Sequence, residues 1–188
     1  GEIQGRRKPS ATNDKRVTAV KTYDFAYGHG RKTFDYDENL VIKEVRTEEF
    51  PVMEDVKAGV LDAIYHPIGC KPINEIVKPG DTVAFICNDP TRVANSFDFM
   101  PVLVDEMNKL GVKDEDMHIL FSLGTHRDMT HEEMVEAVGE NVASRLKMYN
   151  STCTKQEDFE YFGTTSRGTP VWINKHICHV DHVIMTGT

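Results

Sequence analysis

Two short polar stretches carry the side chains best suited to chemistry. Asp89-Pro90-Thr91-Arg92 follows the apolar run Val83 to Cys87, and Gly124-Thr125-His126-Arg127 follows the apolar run His118 to Leu123. The guanidinium of Arg92 could grip a carboxylate or phosphate through two parallel hydrogen bonds, with Asp89 holding that arginine or accepting from a ligand hydroxyl. A type I turn with Pro90 at its second position and a surface ion pair explains the same residues without a ligand. Unperturbed imidazole titrates near 6.5, so a desolvated His126 beside an arginine is a candidate general base, weighed against a plain connecting-loop histidine.

Other stretches carry weaker signals. Gly163 to Pro170, GTTSRGTP, has the glycine and hydroxyl content of a phosphate-binding loop but not the G-x-x-x-x-G-K-[ST] spacing, and no G-x-G-x-x-G occurs anywhere. A polar connection with Arg167 exposed is the better reading. His176, Cys178, His179 and His182 are spaced suggestively for a metal, yet His182 opens a strand-like run and Asp181 is the only carboxylate among them. No metal ligand is assigned there.

The elements that must position these loops alternate. Val83 to Cys87 and His118 to Leu123 read as buried strands. Between them, Phe97, Met100, Val104, Met107 and Leu110 share one helical face that ends at Gly111, with Asp98 as the expected N-cap so that Pro101 falls in the first turn. Thr130 to Glu133 reads as a capping box for a helix closed by Gly139. A right-handed crossover makes the two strands parallel neighbours, so both polar loops open at one sheet edge, where α/β sheets bind ligands.

Upstream, Tyr23 to Tyr27, Lys32 to Tyr36 and Leu40 to Val45 read as short strands, the first two joined by a Gly28-His29-Gly30 turn. A helix is expected over Val52 to Tyr65, stopped by Pro67, with a helical turn at Ile73 to Val77. Downstream come a short helix near Val142 to Leu146 and strands near Lys147 to Tyr149, Phe159 to Phe162, Val171 to Ile173 and His182 to Met185. The pattern predicts an α/β chain: a Rossmann-like three-layer domain with a mostly parallel sheet, plus a small N-terminal β appendage. Residues 1–20 read as a flexible polar segment and 21–188 as the domain.

Composition bounds the function. Of 188 residues, 39% are hydrophobic and 28% charged, values of an ordinary globular protein without a membrane span. A net charge of -8 argues against nucleic-acid binding, which needs clustered cations. Cys70, Cys87, Cys153 and Cys178 show no C-x-x-C spacing and no apolar leader is visible, so a reducing cytoplasm is expected.

The strings PIGCKPINEIVKPGD, NDPTRVANSFDFMPVLVDEMNKLGV, ILFSLGTHRDMTHEEM and GTTSRGTPVWIN, in this order, resemble the N-terminal domain of the nickel-dependent lactate racemases, over about residues 22–188. The resemblance implies inversion at C2 of a 2-hydroxy acid, with a hydride passing to and from the pyridinium carbon of a nickel-pincer nucleotide. It implies His126 as general acid/base and Arg92 as a substrate clamp, with Arg127 a second substrate contact. Asp89, Thr91, Gly124 and Thr125 would lie at the cofactor. The second histidine base, the tethering lysine and the nickel-binding histidine of the family are expected beyond Thr188, so the chain is expected to be truncated, inactive alone, and partnered by its own C-terminal domain. The alternative is a free-standing anion- or metabolite-binding domain that needs a partner half.

Overall fold

The computed structural model describes residues 19–187. The expected polar lead-in lies outside the described residues over 1–18, and Val20 already belongs to a strand. The chain divides into two compact units at Pro51/Val52.

In the N-terminal unit, β1 (Val20–Tyr27) and β2 (Gly30–Asp37) pair antiparallel from Val20↔Asp37 to Tyr27↔Gly30. Gly28, at φ +58, supplies the positive dihedral that the first position of this two-residue turn requires. Period-2 alternation sorts the side chains: Tyr23, Phe25, Phe34 and Tyr36 share one face, while Thr22 donates to Asp35 at 2.7 Å and Arg31 to Asp24 at 2.5 Å on the other. The strand expected at Leu40 to Val45 does not form; a 3-10 turn over Glu38–Leu40 is followed by irregular chain. Its apolar alternation has nothing to pack on, since Leu40, Ile42 and Val45 are 70%, 102% and 84% exposed. Side chains hold it instead, Glu44 accepting from Lys21 and from the Tyr23 hydroxyl.

The larger unit is built on four parallel strands. In chain order these are β3 (Val83–Asn88), β4 (Met117–Gly124), β5 (Lys147–Thr152) and, after an antiparallel hairpin of β6 (Phe159–Thr164) and β7 (Pro170–Asn174), β8 (His182–Met185). The order across the sheet is β5-β4-β3-β8. Val83, Phe85 and Cys87 of β3 alternate onto the same face as Met117, Ile119, Phe121 and Leu123 of β4 and are all buried. Against them pack Met100, Val104 and Met107 of α3 (Ser96–Lys109), Met134 and Val138 of α4 (His131–Val138), and Val142 of α5 (Glu140–Ala143), forming one core. Earlier in the chain, α1 (Val56–Tyr65) starts where Asp55 accepts from the Ala58 amide at 2.9 Å, so the helix is shorter than the apolar spacing from Val52 suggested; a single turn, α2 (Ile73–Ile76), follows.

On the opposite face, α6 (Lys175–Cys178) lies over β4 and β5: Tyr149 stacks on His176 at 3.7 Å, His118 bonds the His176 carbonyl at 2.7 Å, and Asn174 donates to Ser151. The layers are therefore helices, sheet, and a cover of α6 and hairpin. On the β8 side of that face Val183 and Met185 remain exposed. At the foot of β8 the Asp181 carboxylate accepts from the Thr82 amide and hydroxyl at 2.9 and 2.8 Å, locking β8 beside β3.

One boundary departs from expectation in a way that matters for the site. Helix α3 begins at Ser96, not after Asp98; its N-cap is Asn95, held at φ 51 with no side-chain cap bond, and Pro101 sits inside the helix. Burial of Met100, Leu103, Val104 and Met107 against the sheet offsets the bond lost at Pro101.

Candidate active site

Strands β3 and β4 run parallel in the register Asn88↔Ser122, so the chain leaves both at the same edge. The chain turns at once after β3, the Arg92 amide donating to the Asp89 carbonyl at 3.1 Å, and after β4 the His126 amide donates to the Leu123 carbonyl at 3.0 Å. These tight turns bring Asp89 and His126 together. One Asp89 carboxylate oxygen accepts from the Thr91 amide at 2.7 Å and hydroxyl at 2.5 Å, and the other is 2.8 Å from Nδ1 of His126.

The electrostatics follow from those contacts. The Thr91 hydroxyl first, with help from the Thr91 amide and His126, holds the Asp89 carboxyl below the usual carboxylate range. An ionised carboxylate can only accept, so Nδ1 of His126 carries the donated proton, and Nε2 is left as the free basic nitrogen. His126 is 49% exposed in its side chain against 12% for Asp89, so a base faces outward on a mostly covered anchor.

Arg92 is exposed and makes no side-chain hydrogen bond or ion pair among the described residues. The Asp89–Arg92 ion pair considered from the sequence does not form, because Thr91 and His126 occupy the carboxylate. Arg127 is otherwise engaged: it donates to both carboxylate oxygens of Glu133 at 2.8 and 2.6 Å and to the Asp128 carbonyl. Gly124 takes φ +58 with nothing within 4 Å of a Cβ built on it, and its carbonyl accepts from the Cys153 amide at 2.8 Å, extending the edge toward β5. Thr125 is exposed beside it.

Behind the Asp89 turn is a cavity of about 250 Å³ lined by Asn88, Asp89, Arg92, Ser96, Phe97 and Glu136 among others. Asn88 is wedged against Gly187, where any Cβ would come within 2.3 Å of its side-chain oxygen, and its amide nitrogen is buried without a partner. Neither Asn88 nor Ser96 was singled out in the sequence; the only signal for them is their position just before Asp89 and at the start of α3. A wider hollow of about 800 Å³ lies in the N-terminal unit, lined by aromatic rings, the Lys21–Glu44 pair, Lys43 and Arg46.

The remaining candidates disperse. In GTTSRGTP the Thr165 and Gly168 amides bond the Thr169 and Thr165 carbonyls at 2.9 Å, so the stretch is the tip of the β6–β7 hairpin and not a phosphate cradle. His182 pairs with Asp81 at 2.7 Å, His179 with Glu160 at 3.1 Å, and His176 stacks on Tyr149. Among the described residues no three His, Cys, Asp or Glu side chains are arranged to hold a metal ion.

Comparison with known proteins bears on this edge. The chain is 26% identical over 166 residues to a lactate racemase of Thermoanaerobacterium thermosaccharolyticum, an alignment covering 87% of this chain and 39% of that protein. It is 27% identical over 122 residues to a lactate racemase of Lactiplantibacillus plantarum, covering 65% of this chain and 28% of that one. The structure superposes on that of the lactate racemase apoprotein from T. thermosaccharolyticum with TM-score 0.70 and 25% identity, over 88% of this chain and 38% of the other. The chain thus spans less than two fifths of the length of these relatives. A family profile described as the lactate racemase N-terminal domain matches residues 27–188, well over half of the sequence, and the chain belongs to that family.

Proposed function

We propose that this chain contributes half of the active site of a racemase or epimerase that inverts C2 of a 2-hydroxy acid such as lactate. The observation that carries the reading is the Asp89–His126 pair, 2.8 Å apart, beside the unpartnered Arg92. In this reading Arg92 grips the substrate carboxylate through two parallel hydrogen bonds, which fixes the 2-hydroxyl relative to His126. Nε2 of His126 takes the hydroxyl proton as C2 loses its hydride, and Asp89 holds the ring in its tautomer and stabilises the imidazolium. The same nitrogen returns the proton when the flat 2-keto form is reduced back to that enantiomer. A second base for the opposite enantiomer is proposed to come from the rest of a longer protein.

When bound, the nickel-pincer nucleotide supplies the acceptor for the C2 hydride. The residues present fit part of that group: the orphaned Asn88 amide and the uncapped start of α3 are donors without acceptors, next to Asp89 and Thr91. The nickel ligands and the tethering lysine are proposed, from the family resemblance, to come from another part of a longer protein. Arg127, tied to Glu133, is given no substrate contact. Four free thiols suit a reducing cytoplasm. The unpartnered Arg92 also fits the second reading, an anion-binding domain whose partner supplies the other half.

Chiral chromatography of 2-hydroxy acids incubated with the longest natural form of the protein, loaded with cofactor, tests the proposal. Racemisation of at least one acid is expected. Anion binding without any turnover, under conditions where a lactate racemase works, would leave the second reading standing alone.

A further inference from the structure

A cavity of about 330 Å³ opens beyond the end of β5, lined by Cys153, Gln156, Phe159 and Trp172. Its chemistry differs from that of the Asp89 turn: two aromatic rings, a thiol and an uncharged amide, with no charged side chain in the wall among the described residues. Phe159 opens β6, half-buried, and Trp172 stands on β7 directly across the ladder from Tyr161, their ring centroids 5.1 Å apart. That cross-strand pair braces the indole. Trp172 is nonetheless 56% exposed, so its ring offers apolar surface at the rim of the hollow. An apolar hollow with few polar groups is the usual form of a small-molecule subsite.

The mouth of this cavity is tied to the loop that carries His126. Thr152, the last residue of β5, pairs with Gly124; the Cys153 amide donates to the Gly124 carbonyl at 2.8 Å; and Lys155 pairs with Asp128. The loop after β4 is thus fastened, before and after His126, to the segment that leads into the cavity. Three neighbouring strand ends offer three chemistries in order: Arg92 beyond β3, His126 beyond β4 and the aromatic hollow beyond β5. Neighbouring strands are about 4.8 Å apart. A 2-hydroxy acid held by its carboxylate at Arg92 and its hydroxyl at His126 has its third substituent free to follow the same edge toward β5. A methyl group falls short of the next strand end, whereas a benzyl group, longer by about one strand spacing, reaches it.

Charge narrows the class. Lys155 is committed to Asp128, and Glu157 and Asp158 follow Gln156 in the turn before β6. A second carboxylate on the substrate would be desolvated there without a partner, whereas an apolar ring loses nothing by leaving water. We propose that this cavity is the substituent pocket of the active site, that the preferred substrate is a 2-hydroxy acid carrying an aromatic or bulky apolar group on C3, and that Trp172 selects for it. The inference rests on the functional reading above and narrows its substrate class.

Trp172 is the one tryptophan of the chain, so its indole N–H gives a single ¹⁵N–¹H signal that reports the pocket without turnover. Titration of the ¹⁵N-labelled chain with 3-phenyllactate should shift that signal, while lactate and malate at the same concentration should leave it in place. Indifference to 3-phenyllactate, or equal shifts with all three acids, would overturn the pocket. In the longest natural form, loaded with cofactor, kcat/KM for 3-phenyllactate should exceed that for lactate by at least about tenfold, since one methylene in an apolar pocket is already worth about 10- to 200-fold. Trp172→Ala should reduce this ratio about tenfold and Trp172→Phe by much less, whereas a loss of folding lowers both acids alike. Cys153→Phe, which fills the hollow from its exposed rim, should shift the preference toward lactate. A ratio near one, or a ratio unmoved by these substitutions, overturns the inference and spares the racemase reading as long as lactate still turns over. A selective indole shift without turnover of any acid does the reverse: the pocket stands and the racemase reading falls.

Discussion

Both oxygens of the Asp89 carboxylate are spoken for, one by Thr91 and one by His126, and that division gives the residue its role. Asp89→Asn preserves the shape but presents an amide that can donate to Nδ1, favouring the Nε2–H tautomer and removing the outward base. Imidazole ¹⁵N shifts at alkaline pH should report Nδ1–H in the parent and Nε2–H in the variant; an unchanged tautomer would show that the carboxylate does not orient the ring. In the full-length, cofactor-loaded protein, His126→Ala should slow conversion of at least one enantiomer by about 10²- to 10⁴-fold, the usual contribution of a general base. Equal residual rates in both directions, at parental level, would remove His126 from proton transfer. At this scale the sequence was partly legible. It located Asp89, Arg92 and His126 at one edge because strand ends and turn residues are local signals. It did not show that Asp89 serves His126 instead of Arg92, since that choice depends on the parallel register, and Asn88 and Ser96 became visible only through packing.

Among the elements, α4 is fastened to the site loop by a single side chain. Glu133 completes the capping box with Thr130 and holds Arg127 of the loop after β4. Arg127 first, then the Thr130 amide, pulls the Glu133 carboxyl down to about 2. Its folded-state pKa is below the ordinary 4.5, so its stabilisation is complete above about pH 4.5 and is lost as the pH falls through about 2. The thermal midpoint of Glu133→Gln should therefore trail the parent at neutral pH and converge with it by about pH 2; a gap that persists in acid would assign the effect to packing. Thr130→Ala should cost about 1 kcal/mol in urea unfolding, the usual value of a lost N-cap, and a neutral result would mean water caps the helix as well. The capping box could be read directly because its residues lie within four positions of one another. The start of α3 could not: Asp98 is a better cap in isolation, but burial of Ser96 and Met100 against the sheet sets the helix three residues earlier. The missing strand at Leu40 to Val45 is the opposite case, a correct local alternation with no surface to pack on.

For the molecule as a whole, the α/β class and the parallel sheet followed from the alternation of strand and helix signals, while the placement of β8 beside β3 followed from nothing local. The residues that lock that pair, Thr82 and Asp181, are 99 positions apart. Closing so long a loop carries an entropy cost that grows with the logarithm of its length, so this pairing is expected to form after the shorter β3–β4 and β4–β5 connections. On the ribosome, the fourth strand would dock only once nearly the whole of this stretch had emerged, leaving the edge of β3 bare during synthesis. Ile184→Val, at the partly buried centre of β8, should cost about 0.5–1.5 kcal/mol and express it almost entirely as faster unfolding, with the refolding rate unchanged. A slowed refolding arm in stopped-flow kinetics would place β8 in the nucleus instead. If the edge strand does dock last, the wedge of Gly187 against Asn88 is among the final features of the sheet to acquire its shape, and the segment that carries Gly187 would be among the first to leave on unfolding.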